Sequence, residues 1–362
     1  MRCGIGFGGG QGLSLADYVT GMKPTRGATA AGRCEGANVA YARASVRRSR
    51  GGPAVTSSPG RSSSRLDEAL ADSRAYLRSD LATASLAKSC YWPKWDSPWW
   101  HVLALIEAGH VEQIPKATLL AIYAACQHDL LPFFPTSPEQ LPPGTDPRIA
   151  IPCHCQLGCL LEAAPRADTL DVVHTHLPWA RDWFQRYQLP DGGWNCDEAA
   201  YTREQPRSSV VSTVVVLEHL VAKPDLSETE RGMLERGMQF LLELRLFRSR
   251  RTGAILDEDW LVPTLPRFYE YDLLRGLRLV AAWIKLRGFR TEQLDHTLSE
   301  AVRHVDRFFA SHRAPRGWAT DERTRKPHGV ETTFPLLDVL EEHVTGLQLL
   351  AEEWRAVREV LT

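Results

Sequence analysis

Cys153, His154 and Cys155 stand together in "IPCHCQLGC", and Cys196 and Asp197 follow about forty positions later in "NCDEAAY". Thiolate sulfur and neutral imidazole are the ligands a tetrahedral zinc ion prefers. A cysteine at the start of a helix is favoured as thiolate, because the unpaired N–H groups there present positive potential. These five residues are therefore the candidate zinc ligands. Cys-x-Cys followed by a distant lone cysteine is not a recognised zinc spacing, so buried structural cysteines and a hydrogen-bonded histidine are the default reading beside it.

A second group is aromatic. "YWPKWDSPWWH" carries Tyr91, Trp92, Trp95, Trp99 and Trp100, ring faces that can line a cavity and stabilise a cation or simply pack. If Trp99 and Trp100 contact substrate, Asp96 and His101 become nearby acid/base groups; the plain alternative makes Asp96 a helix cap before Pro98. "LPRFYEYDLLRG" brings Tyr269, Tyr271 and Asp272 to the start of another helix. Asp272 is there a candidate general acid, or an i, i+3 partner of Arg275. "KPHGVETTF" sets His328, a proton-transfer candidate, and Glu331 before the last helix.

The elements that must position these groups recur. "DSPWWHVLALIEAG" from Asp96, "PCHCQLGCLLEAA" from Pro152, "SSVVSTVVVLEHLV" from Ser208, "FYEYDLLRGLRLV" from Phe268 and "ETTFPLLDVLEE" from Glu331 begin about 56 to 63 positions apart, a repeat architecture. A more polar helix precedes each, and a glycine turn recurs as "DGGW", "TGAI" and "RGW". "SSVVSTVVVLEHLV" is β-branched enough to suggest a strand, but its equivalents are helical, so helix is expected. Apolar helices alternating with amphipathic ones are satisfied as an inner ring covered by an outer one. That is an all-α toroid, or partial toroid, of about five hairpins over residues 66–362. A first outer helix is expected from Leu66 to Ala87, and "ARDWFQRYQ" should end an amphipathic helix that "LPDGGW" stops. In that turn Asp191 bonds nearby backbone, Gly192 and Gly193 take conformations other residues resist, and Trp194 packs between hairpins.

The turn "QLPDGGW" resembles the QW-type repeat of squalene-hopene cyclases, and the alternating helices are similar to the toroids of terpenoid cyclases and protein prenyltransferase β subunits. The resemblance implies an enzyme holding an apolar prenyl- or terpenoid-like molecule in a central cavity. Acid/base chemistry would come from Asp272, His154, Asp96 and His101, and substrate contacts from Trp99, Trp100, Tyr269, Tyr271, His328 and Glu331. The family's protonating D-x-D-D is represented only by "LDEDW", with Trp260 in place of the last aspartate. The prenyltransferase zinc set matches at Cys153 alone, Ile151 and Ser212 standing where an aspartate and a histidine would be. The alternatives are a zinc-assisted enzyme of another class built on the cysteines, and a non-catalytic toroid binding a peptide or lipid.

Composition narrows the classes. The chain has 362 residues, 43% hydrophobic and 24% charged, enough for a large core. No run reaches the roughly 18 apolar residues of a membrane span, and no signal-peptide h-region is legible. Eight unevenly spread cysteines suit a reducing cytoplasm better than a disulfide framework. The net charge of −1 hides a basic segment, residues 1–65, with ten Lys/Arg against two Asp/Glu. That segment, rich in Gly, Ser and Arg, is expected to be disordered. Nucleotide loops and metalloprotease or hydrolase motifs are missing, and no nucleic-acid partner is expected. A partner subunit is admitted if the five hairpins leave a gap.

Overall fold

The computed structural model describes residues 59–92, 95–167, 169–311, 313–317 and 334–361, without the side chains of 59–63, 148 and 149. His328, Glu331 and nearly all of the basic segment lie outside the described residues. Within them the chain is helical, with isolated bridges in place of any strand. The main helices are α1 (Pro59–Leu77), α2 (Asp80–Lys88), α3 (Pro98–Glu107), α4 (Lys116–Asp129), α5 (His154–Arg166) and α6 (Leu170–His176). They continue as α7 (Val210–Ala222), α8 (Glu228–Glu243), α9 (Leu273–Arg287), α10 (Glu292–Ala310), α11 (Pro335–Leu340) and α12 (His343–Leu361). No described helix is long and apolar enough to cross a membrane.

Local chemistry sets the boundaries. The helix expected from Leu66 to Ala87 starts seven residues earlier, at Pro59, and Ser79 divides it, its hydroxyl accepting the Ala82 N–H at 3.2 Å. α8 opens with a capping box between Ser227 and Glu230, and α9 ends at Gly288 with φ 72°. "ARDWFQRYQ" forms only the single turn Trp183–Arg186 after the 3-10 turn Pro178–Ala180. Pro178 cannot continue the ladder from α6, so the expected long amphipathic helix is split. α10 shows the amphipathic stripe clearly, burying Leu294, Leu298, Ala301, Val305 and Phe308.

α7 is the β-branched segment, and it is a helix because burial on every side overrides propensity: Val214, Val215, Val216 and Leu217 are all fully buried. Each such side chain contributes about 1.5–3 kcal/mol by leaving water. α7 packs along α5 so closely that a Cβ on Gly158 would lie 2.8 Å from Val215 Cγ1 and 2.9 Å from its carbonyl oxygen. Gly158→Val is therefore expected to lower stability by about 2 kcal/mol or more, since backbone rather than a flexible tip is in the way. An unchanged urea midpoint would mean that the two helices separate freely.

Neighbour relations run from α3 to α5, α5 to α7, α7 to α9 and α9 to α12. From there α12 and α11 pack on α1, while α1 and α11 both pack on α3. The succession thus returns to its start, with Arg65 pairing with Glu342 at 2.6 Å across the join.

Candidate metal centre and buried charge network

The turn "DGGW" fixes one side of the centre. The Asp191 carboxylate accepts the backbone N–H and the hydroxyl of Ser208. Gly192 has φ 99°, and a Cβ there would sit 2.4 Å from the Arg236 carbonyl oxygen, so only glycine fits. Trp194 is fully buried, its indole N–H donating to the Phe184 carbonyl at 2.8 Å and its backbone N–H to Thr213 Oγ1 at 3.0 Å. The next residues leave this clasp in a set direction. Asn195 Nδ2 donates to the Arg207 carbonyl at 2.9 Å, and the Cys196 N–H donates to Ser212 Oγ at 3.1 Å.

Cys196 is thereby carried onto the start of α5. Cys153 is the N-cap of that helix, its sulfur accepting the Gln156 N–H at 3.3 Å, and Cys155 lies in the first turn. The sulfurs of Cys153, Cys155 and Cys196 all fall within 4.8 Å of one another. Cys155 and Cys196 are closest, sulfur to sulfur 2.8 Å, and the Cys155 N–H points at the Cys196 sulfur at 3.4 Å. All three residues are buried.

The electrostatics separate the three thiols. Burial alone would push Cys196 up, but hydrogen bonds from Cys153 and Cys155, the neighbouring imidazole and Ser212 outweigh it and hold Cys196 well below the usual thiol range. Cys153 is pushed well up, mainly by burial, and Cys155 likewise, mainly through its bond to Cys153. Of the three sulfurs, Cys196 is the one whose surroundings favour the thiolate.

Of the five residues expected to bind metal, these three come together and two do not. His154 Nδ1 accepts the Trp183 indole N–H at 2.9 Å, so Nε2 carries the proton and donates to Tyr201 Oη at 2.9 Å. Both ring nitrogens are used, and burial lowers the pKa of His154 to about 4. Asp197 caps the short turn Glu198–Ala200, accepting the Ala199 N–H at 3.0 Å.

The three sulfurs meet the donor chemistry of zinc, and a tetrahedral site with Zn–S near 2.3 Å needs sulfur separations of about 3.8 Å. The Cys155–Cys196 pair would have to open by about 1 Å to reach that spacing.

The aromatic group packs upon itself. Trp100 meets Trp95 with ring centroids 4.7 Å apart, Tyr91 at 5.0 Å and Phe268 at 5.5 Å. The Trp99 indole N–H donates to Tyr269 Oη at 2.9 Å. Trp99, Trp100 and Tyr269 therefore fill the space between the starts of α3 and α9 with one another. Tyr271 points elsewhere, donating to the Leu246 carbonyl at 2.9 Å. His101 is stacked on Phe334 at 4.0 Å and meets Tyr76 in a tilted contact at 4.2 Å, with Nδ1 3.2 Å from Ser73 Oγ, and burial lowers its pKa to about 3. Asp96 is buried, but Ser97 is the cap of α3, accepting the Trp99 N–H at 3.3 Å.

Asp272 is the N-cap of α9. It accepts the Arg275 N–H at 2.8 Å, the Thr264 N–H at 2.9 Å and Arg267 Nε at 2.8 Å, while Arg267 also forks onto Glu353 at 2.9 and 3.0 Å. The guanidinium of Arg275 goes to Glu218, with Nη2 at 2.6 Å, and Arg278 joins the same carboxylate at 2.5 Å. Burial would raise the Glu218 pKa, but the two arginines outweigh it and hold it at about 2. Glu162 goes the other way, pushed up by burial and by Glu218.

Glu218, Glu162 and Arg278 were missed in the sequence, although a signal was there. Each occupies the same register of its apolar repeat, ten residues after Ser208, Pro152 and Phe268 respectively. Glu218→Gln, which takes the carboxylate from buried Arg275 and from half-buried Arg278, is expected to cost about 3–5 kcal/mol. A denaturant midpoint within error of wild type would show the arginines re-pairing.

No protein family, curated protein or solved structure matches this chain.

Proposed function

We propose that the chain is an α/α toroid of the cyclase and prenyltransferase type whose chemical centre is a zinc ion held by Cys153, Cys155 and Cys196. The observation that carries this reading is the convergence of three buried sulfurs within 4.8 Å from two separate segments. The returning succession of helix neighbours and the "DGGW" clasp support the toroid. Three protein sulfurs leave one tetrahedral position for a substrate or water, the arrangement of catalytic rather than closed structural zinc. When bound, zinc would supply Lewis acidity at that position. The chain's own contribution is to hold the sulfurs: α5 supplies N–H groups toward them, Ser212 fixes the Cys196 backbone, and the neutral His154 braces the first turn against Trp183 and Tyr201.

This favours the metal-assisted reading over polyene protonation. The candidate acid Asp272 is occupied by three donors, and the candidate rings fill each other's space. The substrate is proposed to be a small molecule reaching the fourth position. Metal analysis of the full chain purified without chelator tests the reading, with one zinc per chain expected. If zinc-loaded protein retains no metal after desalting, and cobalt gives no sulfur-to-metal absorption, the reading is wrong.

A further inference from the structure

We infer that Cys155 and Cys196 are a disulfide-forming pair, a reversible two-electron modification site that dismantles the metal centre when oxidised. Loss of metal rests on the zinc reading above; formation of the disulfide does not.

Geometry selects this pair from the buried cysteines. Their sulfurs are 2.8 Å apart, between a non-bonded contact and the roughly 2.05 Å of an S–S bond, so closure needs only a small rotation of each side chain. The Cys155 N–H and Ser212 hold both partners in place from either side. Access points the same way: Cys155 and Cys196 are each 7% exposed, Cys153 1%, and Cys90 and Cys126 not at all. The two residues are 41 positions apart, so the bond would tie the start of α5 to the loop that follows the "DGGW" clasp.

With a hydroperoxide as oxidant the step balances. The two sulfurs give up two electrons, one S–S bond forms, the O–O bond of hydrogen peroxide breaks, and two waters leave; the two protons they need come from the thiols in the metal-free chain and from solvent when zinc holds the sulfurs as thiolates. A bound zinc ion keeps its charge throughout, but only Cys153 remains to hold it, and a single thiolate does not retain zinc against a chelator. A dithiol reductant reverses the step by thiol–disulfide exchange.

The test uses the full chain, purified anaerobically and treated with one equivalent of hydrogen peroxide. Non-reducing peptide mass spectrometry and a colorimetric zinc chelator are read together. A Cys155–Cys196 linked peptide is expected, with one equivalent of zinc released at the same rate and both changes undone by dithiothreitol. Cys153→Ser should keep the disulfide while losing the metal, and serine serves as an N-cap, so α5 is retained. Cys196→Ser should lose both. A Cys155–Cys196 disulfide in protein that never held zinc would sink the metal reading and leave this inference standing. Zinc retained after peroxide, with Cys155 and Cys196 still alkylatable, would overturn the inference and leave the metal reading standing. Linkage of Cys153 to either partner as the main product would overturn it as well.

Discussion

Cys196→Ser is expected to weaken zinc binding more than a hundredfold, about 2.7 kcal/mol or more, measured by competition with a chromophoric chelator. Cys155→Ser should do the same, whereas His154→Gln and Asp197→Asn should change affinity less than tenfold. The contrast follows from placement. Cys196 is one of three sulfurs in the cluster and the one whose surroundings favour the thiolate, so removing it takes both a ligand and the most readily formed thiolate. His154 and Asp197 are adjacent in sequence but spend their polar atoms on Trp183, Tyr201 and Ala199. His154→Gln should instead lower the melting temperature by loosening the first turn of α5. Should it abolish metal binding in a folded protein, the imidazole is a ligand and the three-sulfur centre is wrong.

Mild acid is expected to unfold the protein well above the pH at which carboxylates titrate. Burial lowers the pKa of His101 to about 3, and of His154 and His219 to about 4. All three are neutral in the folded chain, but in the unfolded chain they take up protons near 6.5. Between pH 6.5 and about 4 the unfolded state therefore binds more protons, and stability falls as pH falls. At pH 5 each histidine contributes about 2 kcal/mol of loss, and the three together about 6 kcal/mol, a large fraction of the stability of an ordinary domain. Glu218 adds a second loss at lower pH: its folded pKa of about 2 stabilises above the unfolded value near 4.3 and ceases to do so as pH drops toward 2. Urea midpoints from pH 7.5 to 5 should decline steadily, and His101→Phe should reduce that slope by about a third. A midpoint that stays level from pH 7 to 5 would mean that these imidazoles are protonated in the folded state.

Much of the helical plan was legible in the residues. The five apolar segments set the period, and the helical conformation of Val210–Ala222 followed from its equivalents against its own β-branched composition. The glycine turn was legible because Gly192 occupies a backbone conformation and a space that no side chain tolerates. The three cysteines were visible as candidates, since a sulfur-rich helix start is chemically distinctive. Their company was not: His154 sits between two of them in the chain, yet its ring turns the other way because Trp183 and Tyr201 offer partners there. Asp272 and Arg275 likewise look like a local pair, but Asp272 takes the backbone N–H while the Arg275 guanidinium crosses to Glu218, 57 positions away.

The sequence by itself determined that helices recur, where glycine must turn them and which residues carry sulfur, charge and aromatic rings, because periodicity and backbone conformation are local properties of neighbouring residues. Only the tertiary structure decided which sulfurs meet, which carboxylates are neutralised and which rings fill space. Those choices depend on side chains from distant repeats competing for the same buried donors, and a buried polar atom takes whichever partner the packing brings within reach.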